Sequence, residues 1–242
     1  MCIKTENLIF LLTILFCFLF FVLRKQGPLL KDRSTKYKVR LISKEKINHN
    51  VYRLVFEVPY KLGLNIGQHI KVYYQDKCKS YSPTCDRDNA FELIVKDYGS
   101  GFSNYLCNLN IFDKIEISGP FGLHSVECIN DNFSIKNKKG KTIIMIACGS
   151  GITPFLRIIK EYSDNNIELF YSNRTESDII CKSDLPINTK HFITSSGLRI
   201  QKNDLYYNSD ALYLICGTNE FNKTIKDYLL QLMIPDDKIF LF

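Results

Sequence analysis

The 242-residue chain carries nine cysteines, at positions 2, 17, 78, 85, 107, 128, 148, 181 and 216, yet it has no Cys-x-x-Cys pair and no zinc-ligand spacing. That excludes a zinc-finger framework, and the odd, scattered set fits free thiols in a reducing compartment, most of them serving as small buried apolar residues. No internal repeat is present, no G-x-G-x-x-G fingerprint, and no Walker-type phosphate loop, because no Lys-Ser/Thr follows its glycines. The bulk of the chain also lacks a charge surplus. The formal charge is +7, but through residue 40 there are eight Lys/Arg against Glu6 and Asp32, giving +6. The remaining 202 residues hold 24 Lys/Arg and 23 Asp/Glu, giving +1, so a basic nucleic-acid-binding body is excluded.

What is present is ordinary globular composition, 45% hydrophobic and 24% charged, enough for a sizeable core in one large or two small domains. The surplus charge belongs to a leader. Leu8 to Leu23 is an uncharged run of sixteen residues, about 24 Å as a helix, which the stems of Arg24 and Lys25 extend by snorkelling. No small-x-small cleavage pattern follows it, so an uncleaved membrane anchor over 1–26 is expected rather than a signal peptide. Lys4 stands alone before the run and seven Lys/Arg lie between Arg24 and Arg40, which places the C-terminal side in the cytosol. Residues 27–36 read as a juxtamembrane linker, with lysines able to rest on anionic lipid.

From 37 to 135 the chain reads as an all-β domain of barrel or sandwich type. Tyr37 to Ile42, Val51 to Val58, His69 to Tyr74, Phe91 to Lys96 and Lys114 to Ser118 are short β-branched or alternating runs, with one helical stretch from Ser103 to Leu109. The cluster from Lys136 to Lys141 reads as a loop or domain junction, opening a second domain over 136–242. There, strands at Thr142 to Ala147, Ile167 to Ser172, Lys190 to Ser195 and Ala211 to Cys216 alternate with helical patterns at Phe155 to Tyr162, after Thr175 and at Glu220 to Met233. Alternation of this kind predicts a parallel α/β sheet with ligands at the carboxyl ends of its strands.

The chemistry is expected at the turns. Gly149-Ser150-Gly151-Ile152-Thr153-Pro154 follows an apolar strand and opens a helix, with Thr153 read as its N-cap. Glycines allow close approach to a phosphate or ring, and the helix start suits an anion. Cys216-Gly217 repeats that arrangement after a second strand, and two such turns in one sheet converge on one crevice. In the β domain, Lys79-Ser80-Tyr81-Ser82 puts a cation, a ring and hydroxyls within four residues, a set suited to a flavin. Tyr98-Gly99-Ser100-Gly101-Phe102-Ser103 leads into the helical stretch as another loop-to-helix anion seat.

Taken in order, these strings resemble the NADH-cytochrome b5 reductase group of the ferredoxin-reductase-like flavoenzymes over residues 35 to 242. Lys79-Ser80-Tyr81-Ser82 is similar to the family's Arg-x-Tyr-Thr/Ser, Ile94-Val95-Lys96 to its Val-x-Lys strand, and Gly99 to Ser103 to its Gly-Gly-Lys-Met-Ser loop. Gly119-Pro120-Phe121-Gly122 matches its Gly-Pro-x-Gly turn. Cys148 to Pro154 resembles its Gly-Gly-Thr-Gly-Ile-Thr-Pro loop, Asn173 to Ile179 its Asn-x-Thr-Glu-x-Asp-Ile, Cys216-Gly217 its Cys-Gly-Pro-Pro, and Ile239 to Phe242 its aromatic ending.

The resemblance implies a membrane anchor, then an antiparallel Greek-key β-barrel holding FAD, then a Rossmann-like parallel-sheet domain holding NADH. Its reaction is hydride transfer from nicotinamide to flavin, followed by electron delivery to a cytochrome b5-like haem protein. On that footing Tyr81 and Ser82 seat the flavin ring, and Lys79, Gly101, Phe102 and Ser103 lie along the phosphates. Ser80 belongs to the same signature, and Ile94 and Lys96 border the flavin. Gly149, Ser150, Gly151 and Thr153 face the nicotinamide, with Cys216 and Gly217 positioning it. No acid-base residue and no metal are implied, and the expected particle is a single protomer on the endoplasmic reticulum or mitochondrial outer membrane. The chain departs from the family at Lys79 for Arg, Gly101 for Lys, and Thr218-Asn219-Glu220 for Pro-Pro-Met. FAD is therefore expected to be held less tightly. Two alternatives stay open: a flavoprotein of little turnover, and an NAD(P)H reductase of another membrane acceptor. Arg174 is read either as a contact for a 2′-phosphate, admitting NADPH, or as a solvated cation.

Overall fold

A computed structural model describes residues 27–163 and 165–242, so the apolar leader at 8–23 lies outside the described residues. Among the described residues no helix is long and apolar enough to cross a membrane.

The first half is a seven-stranded antiparallel sheet. Its strands are β1 (Tyr37–Lys46), β2 (Val51–Glu57), β3 (His69–Tyr74), β4 (Lys77–Tyr81), β5 (Cys85–Asp86), β6 (Ala90–Lys96) and β7 (Lys114–Phe121), in the order β4-β3-β7-β1-β2-β6-β5. Consecutive strands sit apart where β7 inserts between β3 and β1, and the two edge strands are joined by only Ser82, Pro83 and Thr84. Such a short link requires the sheet to curl back on itself. Val39, Leu41, Leu54, Phe56, Phe91 and Leu93 fill its interior, where Phe56 and Phe91 stack at 5.3 Å. Helix α1 (Gly101–Cys107) covers the sheet through Leu106 and Cys107.

The second half is a five-stranded parallel sheet of β11 (Thr142–Cys148), β12 (Ile167–Asn173), β13 (Lys190–Ile193), β14 (Ala211–Cys216) and β15 (Ile239–Leu241), in the order β13-β12-β11-β14-β15. Alternation along β11 explains how both faces are covered. Ile143, Met145 and Ala147 pack with Phe155, Ile158 and Ile159 of helix α2 (Thr153–Glu161), whereas Ile144 and Ile146 pack with Ile225 and Leu229 of helix α3 (Asn219–Gln231). Full burial of side chains this size contributes about 1.5–3 kcal/mol each. The chain runs outward from β11 to β12 and β13, then returns to β14 on the other side, so the strand order reverses between β11 and β14. A crevice at their carboxyl ends follows from that reversal.

The halves are packed together. Val51 and Ile94 of the first sheet belong to the same apolar cluster as β11 and α2, Arg157 donates to the Leu64 carbonyl at 3.0 Å, and the Tyr162 hydroxyl donates to the Val126 carbonyl at 3.2 Å.

Several local expectations need correction. Residues 27–36 are no free linker: Leu29 and Leu30 are buried, and their amides donate to the carbonyls of Lys61 and Leu62. Lys136 to Lys141 is no plain loop, because Lys136 and Asn137 adopt φ of 48° and 65° and turn a hairpin between β9 (Asn132–Ile135) and β10 (Lys138–Gly140). Two-residue turns with positive φ match strand twist, and Asn tolerates that conformation. With β8 (Glu127–Ile129) these form a small three-stranded sheet. After Thr175 there is no α-helix but one-turn 3₁₀ segments at Glu176–Asp178 and Lys182–Asp184. Of the seven cysteines among the described residues all are free, but only Cys107 and Cys181 are buried, so most are not core residues.

Candidate functional site

A cleft of about 900 Å³ runs between the two halves, at the upper end of the size that small-molecule sites take. Its β-domain wall carries Lys79, Ser80, Tyr81 and Ser82 from β4 and the turn after it, Ile94 and Lys96 from the end of β6, and Phe102 and Ser103 from α1. Its other wall carries Gly149, Ser150, Gly151 and Thr153 beyond β11, and Cys216 and Gly217 beyond β14. Gly101 alone among the residues expected here does not line the cleft. It opens α1 at a φ of 72°, a left-handed conformation that suits glycine.

The two glycine turns meet directly. A Cβ on Gly151 would fall 2.2 Å from the Cys216 carbonyl oxygen, so this glycine is required by close approach, whereas Gly149 takes a φ of 53° with open space around it. The buried Tyr171 hydroxyl donates to the Gly149 carbonyl at 2.8 Å and fixes the turn from below. Thr153 is not the N-cap. A 3₁₀ turn over Gly149–Ile152 intervenes, Ile152 takes the cap position, and Thr153 begins the α-helix with Pro154 in its first turn.

Side chains also tie the walls together. Tyr98 and Ser150 share a hydroxyl hydrogen bond of 2.9 Å across the cleft. Lys96 donates to Asp178 at 2.7 Å, with both side chains nearly buried at 13% and 9% exposure. Burial alone would raise the Asp178 pKa, but hydrogen bonds from Lys96 and Thr175 outweigh it and hold the carboxyl below its ordinary value. Burial pushes the Tyr81 hydroxyl upward, so it stays protonated. Burial, aided by neighbouring Cys148, pushes the Cys216 thiol up to about 12, and Cys148 is likewise raised by burial. Both are thiols rather than thiolates at neutral pH, which makes them packing and positioning groups rather than nucleophiles.

Expectation from sequence missed several wall residues: His69, Pro154, Asn173, Thr218 and the terminal Phe242. Phe242 packs edge-on to Phe155 at 5.6 Å and tilted on His124 at 5.2 Å, so a residue matched only as an aromatic ending has a defined seat. His69 is a strand residue in an alternating run, where nothing local marks it as facing a ligand.

The donor set fits a flavin dinucleotide. It offers a ring in Tyr81 tilted against Phe102 at 6.1 Å, hydroxyls from Ser80, Ser82 and Ser103, and Lys79, an exposed cation with no carboxylate within ion-pair distance among the described residues. On the opposite wall β12 ends in Asn173, which is buried, and is followed by Arg174, which is exposed.

Residues 38–125 match the family described as Oxidoreductase FAD-binding domain, and residues 145–191 match the Oxidoreductase NAD-binding domain. NADH-cytochrome b5 reductase 2 of Danio rerio is 36% identical over 188 residues, covering 64% of this chain and 60% of that protein. NADH-cytochrome b5 reductase 1 of Kluyveromyces lactis is 34% identical over 197 residues, covering 75% and 66%.

The chain carries an oxidoreductase FAD-binding domain and an oxidoreductase NAD-binding domain, and its sequence is similar to those of NADH-cytochrome b5 reductases.

It spans 60% and 66% of the length of these two relatives. Its fold is that of the cytochrome b5 reductase domain of Ulva prolifera nitrate reductase, with a TM-score of 0.78 at 22% identity over 90% of this chain and 100% of that one. By these domain matches FAD belongs to the first half and the nicotinamide dinucleotide to the second.

Three histidines set a pH dependence for this reductase fold. His69 is lowered by burial and then by Lys71 and Arg33, His124 by burial and Lys136, and His191 by burial and Lys182. Each therefore binds a proton more readily unfolded than folded, so stability rises with pH between the folded values and the unfolded value near 6.5. The melting temperature is expected to fall on moving from about pH 7.5 to about pH 5.5, and a His69→Gln variant should show a shallower fall. A flat profile in thermal melts would contradict these directions.

Proposed function

We propose that the chain is an FAD-dependent NADH reductase that passes electrons to a cytochrome b5-like haem protein. One observation carries the reading: fourteen of the fifteen residues expected from sequence to touch flavin or nicotinamide lie on the walls of one cleft between the two halves. Bound FAD supplies the conversion from a two-electron donor to a one-electron acceptor. The protein's part is geometric. Tyr81 would support the flavin ring, Lys79 and Phe102 would lie along its phosphates, and the bare backbone contact between Gly151 and Cys216 would keep side chains out of the nicotinamide's way. These residues would act by holding the two rings together, since hydride transfer needs no acid or base.

Ser150 lies where the dinucleotide enters, and its hydroxyl is held by Tyr98. Ser150→Val should slow flavin reduction about ten-fold, the worth of one polar contact, while leaving the flavin content of the purified protein unchanged. Stopped-flow reduction set against the flavin-to-protein absorbance ratio checks this, and equal loss of both would indicate misfolding instead.

The leader anchors this body to a membrane with the catalytic halves in the cytosol, at the endoplasmic reticulum or the mitochondrial outer membrane. Support comes from the uncharged run at 8–23, the seven Lys/Arg between Arg24 and Arg40, and the seating of Leu29 and Leu30 in the β domain, which leaves few residues between body and bilayer. The acceptor is tested by reoxidising the NADH-reduced protein with cytochrome b5, ferricyanide and a short-chain quinone. Fastest turnover with cytochrome b5 among the biological acceptors supports the reading, and preference for the quinone would redirect it.

A further inference from the structure

The cleft makes no use of the turn that joins α1 to β7. The chain there reads Asn110-Ile111-Phe112-Asp113, and the Asp113 amide donates to the Asn110 carbonyl at 3.1 Å to close a β-turn. Phe112 holds the third position at a φ of 77°, a left-handed conformation where glycine is expected and a bulky side chain is strained. The fold gains little in return, because the ring is 65% exposed and rests on the Arg40 guanidinium, 5.5 Å from its centroid. The turn is nevertheless firmly held. The Phe112 amide donates to the Leu41 carbonyl at 2.8 Å, the Leu41 amide to the Asp113 carbonyl at 2.9 Å, and the Asn110 amide to the Asp113 carboxylate at 2.7 Å. A fixed turn that presents a strained aromatic ring to solvent breaks a local rule without benefit to packing, which points to contact with something outside the chain.

Strand β1 adds to the same corner. Its register against β2 slips between Leu41 and Ser43, so Ile42 is a bulged extra residue, and it is exposed, as is Ile111. Cations surround these apolar side chains. Arg40 stands directly opposite Lys114 of β7, a like-charge pairing that sheets disfavour, and Lys38 lies two residues earlier on the same outer face. Lys38 and Lys114 have no carboxylate within ion-pair distance among the described residues. The nearby acids are committed elsewhere: Glu57 to Arg40, Glu116 to Lys36, and Asp113 to its own turn.

The occupant is argued from the leader, so the inference rests on the anchor reading. The leader joins the body near Leu29, whose amide donates to the Lys61 carbonyl. Lys61 is four residues beyond Glu57, the partner of Arg40, and four residues span at most about 14 Å. A membrane span ending at Leu23 therefore brings this corner close to the bilayer. The run of Lys/Arg that begins at Arg24 also continues through Lys36 and Lys38 to Arg40 on the corner itself.

We propose that the Ile111–Phe112 turn, with Ile42 beside it, enters the headgroup boundary of an anionic membrane while Lys38, Arg40 and Lys114 meet the lipid phosphates. An apolar tip flanked by cations is the chemistry of an interfacial contact. Leader and turn then hold the body at two points, which gives the cleft one orientation relative to the membrane instead of a free swing.

The chain has no tryptophan, so Phe112→Trp supplies a single indole at the turn, and Ile187→Trp supplies one at an exposed site on the second half as a control. Each full-length variant is reconstituted into vesicles of phosphatidylcholine and phosphatidylserine and recovered by flotation. Its emission is then compared between brominated and unbrominated lipid, which cancels quenching by the flavin. Phe112→Trp is expected to emit at shorter wavelength and to be quenched about three-fold or more beyond Ile187→Trp. That quenching should fall when phosphatidylserine is omitted, or when Lys38→Gln and Lys114→Gln are added. A chain that floats with neither indole quenched overturns the contact and leaves the anchor standing. Equal quenching of both also overturns it, since the body would then lie on lipid without a preferred face. A blue shift that requires cytochrome b5 rather than lipid assigns the turn to the haem partner, against the proposal. A chain that does not float removes the anchor reading, and the membrane contact with it.

Discussion

Gly151→Ala is expected to lower NADH-driven flavin reduction by about a hundred-fold or more while leaving the flavin bound, and to reduce stability by about 3 kcal/mol. The added Cβ would stand 2.2 Å from the carbonyl oxygen of Cys216, 2.6 Å from its carbonyl carbon and 2.9 Å from the Gly217 nitrogen. All three are backbone atoms at the carboxyl end of β14, so no side chain can rotate away. The turns after β11 and β14 must part by roughly an ångström, and a displacement of that size at a reacting pair costs on the order of a hundred-fold in rate. Gly149→Ala is the internal control. Its φ of 53° makes alanine strained, but nothing lies within 4 Å of the added atom, so it should cost only about 1–2 kcal/mol. Denaturant unfolding and stopped-flow reduction on both variants separate a steric requirement from a conformational one. Wild-type reduction by Gly151→Ala would show that the contact between the two turns does not shape the site.

Tyr81→Ala should give a protein that purifies largely without flavin. The ring closes β4 and leans on Phe102, in the cleft and half-buried. Removing one aromatic platform from under a planar heterocycle weakens binding by about 1–3 kcal/mol, or roughly ten- to hundred-fold. The effect should be visible because the phosphate end is already sparsely served: Lys79 presents a point charge where the family has a fork, and Gly101 lies outside the cleft wall. Tyr81→Phe keeps the ring and should keep the flavin, since burial already holds the hydroxyl protonated and away from any ionic role. Flavin-to-protein ratios after gel filtration decide between them. Equal retention by Tyr81→Ala and wild type would remove Tyr81 from the site.

The parts of this molecule that were legible in the sequence are those in which one physical signal dominates. Thr142–Cys148 is an apolar β-branched run bounded by glycines, and it is the central strand β11, buried along nearly its whole length. The glycine turns after β11 and β14 were legible for the same reason, because few residues can occupy a close backbone approach. Elements set by tertiary context were harder to see. Strand β4 reads Lys-Cys-Lys-Ser-Tyr, with four exposed residues, because it is a sheet edge and carries no alternation to betray it. Leu29 and Leu30 looked like linker because their burial depends on backbone pairing with Lys61 and Leu62, more than thirty residues away in sequence. The helical pattern after Thr175 gave way to 3₁₀ turns once Asp178 was drawn to Thr175 and Lys96. Arg174 was a candidate contact already from its place after a strand, whereas the burial of Asn173 beside it depends on the packed cleft wall and leaves no trace in local sequence.

The most direct measurement is anaerobic stopped-flow mixing of the purified full chain with NADH, followed in the flavin absorption band. The protein should be yellow as isolated, and the band should bleach at a rate that saturates with NADH and recover when cytochrome b5 is added. A yellow protein whose flavin stays oxidised under excess NADH and NADPH, or a colourless one that FAD does not reconstitute, would contradict the reductase assignment.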